Sequence, residues 1–225
     1  MRWVTSANVA CGGHAGSVQS MEHCIRLAKK NGVRLGAHPG SWDRKHFGRG
    51  TVRITVAELE LLLLQQVGVL ERLAQIQNVP FHHIKLHGTL YHASETDSRL
   101  ASAYADAVKR WWPTAKIYAR AHGRVAAAAR RRRIGVWEEV YVDRNYLSNG
   151  ALVPRGRKGA LITNPLLALQ RAKDVIEHRR IEAISGERIS ARADTLCIHS
   201  DTPRATVLAR ALYQYLRGLN LLHRP

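Results

Sequence analysis

Acidic residues are scarce: 17 Asp and Glu stand against 35 Lys and Arg in 225 residues, a formal charge of +18. Such an excess bears on association with anions and says nothing of the fold. The cations are scattered apart from one run, Arg130 to Arg133, which follows Val125-Ala-Ala-Ala-Ala. A solvated last helical turn, its charges opposing the carboxyl end of the helix dipole, accounts for that run. Neither interleaved aromatics nor a reading helix goes with it, so nucleic acid is not an expected partner. Cysteine is also short. Cys11, Cys24 and Cys197 are odd in number and lack Cys-x-x-Cys spacing, which argues against a disulfide framework and a zinc knuckle. All three are expected to be reduced, with Cys24 and Cys197 buried. No apolar run approaches the roughly 18 residues that cross a bilayer, and Met1-Arg-Trp-Val-Thr lacks a signal core, so no membrane association and a cytoplasmic location are expected. A Gly-x-x-x-x-Gly-Lys-Ser/Thr phosphate loop is missing as well.

What the chain has is one pattern four times over. An apolar, β-prone run ends in histidine, small residues follow, and a helix-like stretch begins, at His14, His38, His87 and His199. Strands are expected over 3–10, 33–37, 83–86, 116–119, 136–142 and 195–198, and helices over 17–30, 55–77, 97–111, 124–132, 166–178 and 202–219, with a hairpin at 181–192. Thr55 and Thr202 read as helix caps, the former in a capping box with Glu58, and Pro165 as a first-turn proline. Strands alternating with helices predict α/β architecture in a single domain, 1–225, with about six parallel strands, one or two short of a closed barrel. In such folds residues just past the carboxyl ends of strands carry the chemistry. The long loop from Pro39 to Thr51 belongs to the same face and is expected to be functional.

Each histidine has a plain alternative as a turn or packing residue. His14 lies between small residues that let the backbone approach a ligand, and Pro39 holds His38 extended. Lys85 and His87 are two apart and share a side, so the lysine should lower the imidazole pKa and favour a neutral base. Asp201 follows His199 by two and could orient it or another histidine. Asp143, Arg144 and Arg155 fall in a loop entered from a strand end, where paired guanidinium groups could hold a carboxylate or phosphate; surface ion pairs are the alternative. A metal is compatible with these residues, but no His-x-x-x-His spacing indicates one.

Several blocks resemble the LamB/YcsF family, which supplies the A component of the bacterial ATP-dependent 5-oxoprolinase. They are Ser6-Ala-Asn-Val-Ala-Cys-Gly-Gly-His14-Ala-Gly, Gly36-Ala-His-Pro-Gly40 with Phe47-Gly-Arg49, Lys85-Leu-His-Gly-Thr-Leu-Tyr91, Glu139-Val-Tyr-Val-Asp-Arg-Asn-Tyr146 with Leu152-Val-Pro-Arg155, and Ala193-Asp-Thr-Leu-Cys-Ile-His-Ser-Asp-Thr-Pro203. The resemblance implies an irregular (β/α)7-type barrel of the glycoside hydrolase/deacetylase kind, here lacking the first strand, since the family's opening Asp-Leu-Asn-x-Asp-x-Gly-Glu stretch has no counterpart before Trp3. It further implies opening of 5-oxoproline to glutamate with ATP, alongside partner subunits B and C. The catalytic candidates are then His14, His38, Lys85, His87, His199 and Asp201. Asn8, Arg49, Tyr91, Asp143, Arg144 and Arg155 are candidates for holding substrate. The competing expectations are a metal-dependent deacetylase or amidohydrolase of the same barrel class, and an inactive barrel that binds polyanions.

Overall fold

The computed structural model describes residues 1–223 and divides the chain into two compact units, Met1–Val136 and Trp137–His223. In the first, short apolar runs form parallel strands and the amphipathic stretches between them form helices. The order is β1 (Ser6–Ala10), α1 (Val18–Asn31), β2 (Arg34–His38), α2 (Val56–Ile76), β3 (Phe81–Ile84), α3 (Gly88–Thr96), α4 (Ser98–Trp111), β4 (Lys116–Arg120) and α5 (Arg124–Arg131). The strands lie side by side as β1-β2-β3-β4, each pair parallel. Strands covered by helices read as near-continuous apolar runs, and Leu35, Ala37, Ile84 and Ile117 are fully buried accordingly. Ile25, Leu59, Leu63 and Leu70 of α1 and α2 are also fully withdrawn from water, each worth about 1.5–3 kcal/mol of burial.

The caps follow the local sequence. Ser17 and Thr55 close capping boxes with Ser20 and Glu58, and Gly32 ends α1 in the left-handed conformation at φ 56°, which glycine adopts without a Cβ penalty. The arginine run forms a largely exposed helix end, in which Arg132 donates to both oxygens of Asp106 at 2.6 and 2.7 Å. Helix α3 is an addition to the expected elements. It has only nine residues and opens on Gly88 and Thr89 with no side-chain cap, so its local signal is weak. Burial of Leu90, Tyr91, Ser94 and Glu95 holds it.

The second unit contains β5 (Val136–Tyr141), α6 (Pro165–His178), β6 (Arg180–Glu182), β7 (Arg188–Ser190), β8 (Thr195–Cys197) and α7 (Ala205–Gly218). Strands β5 and β8 pair in parallel, and β6 and β7 form the expected antiparallel hairpin. Val142, Ile162, Ala168, Ala172, Leu208 and Leu212 make its core. Contrary to the expectation from sequence, Thr202 does not cap the last helix. That helix starts at Ala205 behind Arg204, and the Thr202 hydroxyl is drawn instead to the buried carboxylate of Asp143. The cysteines form no disulfide, but Cys11 rather than Cys24 joins Cys197 among the buried residues. Among the described residues no helix is long and apolar enough to cross a membrane.

Candidate active site

Three of the four strand-end histidines meet in the first unit. Pairing between β2 and β3 continues past the strands, with Lys85 N donating to Ala37 O at 2.9 Å and His87 N to Pro39 O at 2.8 Å. That places His87 beside His38, whose Nε2 is 3.0 Å from His87 Nδ1. The outer nitrogens of this pair meet backbone carbonyls: His38 Nδ1 donates to Lys85 O at 2.7 Å and His87 Nε2 to Phe47 O at 2.8 Å. His14 lies flat on His87, ring centroids 3.6 Å apart and 8° from parallel. Phe47 stands edge-on to both rings, and its face carries the Arg49 guanidinium at 4.9 Å.

The long loop after β2 folds over the cluster. Asp43 ties it by accepting from His46 N and Gly50 N at 3.1 and 2.9 Å, and Arg44 reaches back to Gly12 O and Gly16 O at 2.8 and 2.9 Å. Two glycines let it close on the imidazoles. A Cβ at Gly40 would stand 2.6 Å from His14 Nδ1, and one at Gly48 2.7 Å from His14 Cβ; Gly48 also has φ 66°. Gln66 was not anticipated. It sits in the apolar stripe of α2 between Leu63 and Val67, 1 % exposed. Its amide brackets Gly40, accepting from N at 3.1 Å and donating to O at 2.7 Å. A lone amide in a leucine-rich helix face was the signal.

The charges around the cluster are cationic. Burial, then Arg49 and Arg44, lower the His14 pKa to about 4. Burial, then His87 and Lys85, hold His38 well below the ordinary imidazole value. Lys85, expected to act on His87, acts on His38 and also on His83. His14 Nδ1 is buried with no hydrogen-bond partner. Cys11 donates to Val9 O, and burial pushes its thiol up to about 12, which disfavours the thiolate.

A further histidine emerges that was not singled out from sequence. His83 is fully buried, its Nε2 donates to Asn8 Oδ1 at 2.9 Å, and its ring stacks on Tyr118 at 3.8 Å. A Cβ at Gly36 would collide with it at 2.1 Å, so that glycine makes its room. Asn8, the exposed member of β1, is thus oriented from below. Tyr91 is buried in α3.

The remaining candidates lie in the second unit. The carboxylate on His199 is Asp143 rather than Asp201. Asp143 is fully buried and accepts from His199 N at 2.8 Å, His199 Nδ1 at 3.0 Å and Thr202 Oγ1 at 2.6 Å. Those donors hold its pKa down although burial opposes them. Tyr141 stacks on the His199 ring at 5.3 Å. Asp201 faces Arg155 at 3.4 Å. Arg144 is buried and donates through Nε and Nη2 to Ala160 O and Val153 O at 3.3 and 2.6 Å, tying down the connection after β5. Among the described residues no group of three or more His, Cys, Asp or Glu side chains is placed to hold a metal ion.

The model of the LamB/YcsF family matches residues 1–224. Among solved structures, the chain is similar to the lactam utilization protein from Thermus thermophilus, with 37% identity and a TM-score of 0.91 over 99% of this chain and 89% of that one. The fold class is the α/β, incomplete TIM-like barrel type implied by the sequence blocks. The chain belongs to the LamB/YcsF family.

Proposed function

We propose that this LamB/YcsF family member is a hydrolase of a cyclic amide, with 5-oxoproline as its substrate, and that it works as the A component beside subunits B and C with ATP as co-substrate. The observation that carries the reading is the cluster of buried His14 and His87 with half-buried His38, beside the cations of Arg49 and Arg44. The similarity to a lactam utilization protein supports the substrate class. Burial and neighbouring cations keep His14 and His38 uncharged, the state in which an imidazole accepts a proton. Arg49 and Arg44 bring positive charge to His14, which suits the carboxylate of 5-oxoproline and the negative oxygen that develops on its carbonyl.

A lactam is a stable amide, so its opening gains from ATP: transfer of the terminal phosphoryl group to the lactam oxygen gives ADP and a better electrophile. Water then adds to the carbonyl carbon and passes a proton to the imidazoles. The carbon–nitrogen bond breaks as the nitrogen takes a proton, which opens the ring to an acyl phosphate, and a second water releases phosphate from it to give glutamate. The chain has no Gly-x-x-x-x-Gly-Lys phosphate loop, and we assign nucleotide handling to the assembled complex. The test is 5-oxoproline turnover with ATP by the chain together with subunits B and C, and by the chain alone. Glutamate formation only by the complex is expected. Full activity of the isolated chain overturns the three-component scheme, and an inert complex overturns the substrate.

A further inference from the structure

The His38–His87 pair has three hydrogen bonds in line: Lys85 O to His38 Nδ1, His38 Nε2 to His87 Nδ1, and His87 Nε2 to Phe47 O. Carbonyl oxygens only accept, so each outer nitrogen must carry a hydrogen, and the central contact needs one more. Two neutral imidazoles bring one N–H each. Three bonds therefore require one proton beyond the neutral count. We infer that His38 and His87 form a single base that takes up one proton, shared between His38 Nε2 and His87 Nδ1, with Lys85 O and Phe47 O as the fixed acceptors that position it. In the neutral pair one of the three contacts sets lone pair against lone pair, and protonation removes that conflict.

The surroundings decide how firmly the proton is held. From β1 and the turn after it come Cys11 and His14, from the long loop Arg44 and Arg49, and from β3 and its extension His83 and Lys85. The groups acting electrostatically on His14 and His38 are all cations or imidazoles. Cations and a second imidazole beside His38 disfavour a proton held for good, so it is returned after each cycle. The flat contact with His14 covers one face of the His87 ring. For the reaction, the proton lost by the attacking water becomes the third N–H of the pair, and the pair gives it to the departing nitrogen.

The inference rests on the proposed reaction only for its kinetic arm. Two-bond proton–nitrogen correlation spectra of the nitrogen-15-labelled full chain, recorded from about pH 9 to about pH 4, read the rings directly. One common midpoint for both rings is expected, and it should vanish in His38→Gln and in His87→Gln. Two separable midpoints, or two rings that stay neutral throughout, would overturn the shared proton. In the assembled complex each Gln variant should lose about a hundredfold in turnover, and the double variant no more than either, because both remove the same base. A loss in the double variant equal to the product of the singles overturns the pair. A wild-type complex without turnover sinks the proposed function, and the spectra still decide the pair.

Discussion

In the first unit His38 and His87 hold each other between two backbone carbonyls with cations around them, whereas in the second His199 is held by a fully buried carboxylate, Asp143. Both sites begin from the same sequence pattern, a strand that ends in histidine. The neighbours make the difference. An imidazole beside a carboxylate is stabilised when charged, and its Nδ1–H is fixed toward the acid. An imidazole beside a second imidazole and cations is kept neutral and ready to accept. The second site holds its histidine in one orientation, and the first is the proton acceptor of the proposed reaction.

The comparison breaks most visibly at Asp143. Asp143→Ala leaves the His199 backbone N–H, the His199 ring and the Thr202 hydroxyl without their acceptor, and unfolding free energy should fall by about 3–5 kcal/mol, the scale of removing one partner from a buried charged pair. Denaturant melts measure it; a loss below about 1 kcal/mol would place the carboxylate among weak surface interactions. In the first unit the expected large effect is on rate instead. His87→Ala or His14→Ala in the assembled complex should lower turnover by about a hundredfold, the usual scale for a positioned acid or base, with thermal melts confirming the fold.

Gly48→Ala sharpens the first site from its backbone side. Its Cβ would meet His14 and His87 at 2.7 and 2.9 Å and the position has φ 66°, so a cost of about 1–3 kcal/mol is expected from overpacking. A variant as stable as the parent would show that the loop gives way. pH separates the two sites more gently. His14 is lowered from 6.5 to about 4, and His38 and His83 lie well below 6.5, so the unfolded chain binds their protons first as pH falls. The stability they contribute is complete above about pH 6.5 and is lost towards pH 4 and below. Asp143 is lowered from 3.8, so its contribution persists until pH drops beneath that value. Melts of His83→Phe against the parent should show a shallower decline across the first window; identical slopes would count against a neutral buried His83. The smallest effect is reserved for His178, half-exposed on α6 near Glu177: His178→Ala should change stability by less than about 0.5 kcal/mol and leave turnover alone, and a loss like that of His87→Ala would discredit the strand-end pattern.

Much of this was legible because it is local. The capping box at Thr55, the helix end at Gly32, the Asn164-Pro165 helix start and the 181–192 hairpin are fixed by neighbours a few residues apart. The alternation of apolar runs with amphipathic stretches determined parallel α/β architecture, and the strand-then-histidine pattern marked His14, His38, His87 and His199. Who meets whom was decided by tertiary structure alone. Asp143 lies 56 positions from His199, His83 lies 75 from Asn8, and Gln66 lies 26 from Gly40. Asp201 was the nearer carboxylate in sequence, but the pairing of β5 with β8 brings Asp143 to His199. Thr202 gave up a cap for the same reason: a buried carboxylate needs donors more than a helix end open to water does. Sequence distance sets what a residue can do for its own turn, and strand register sets which side chains share a proton.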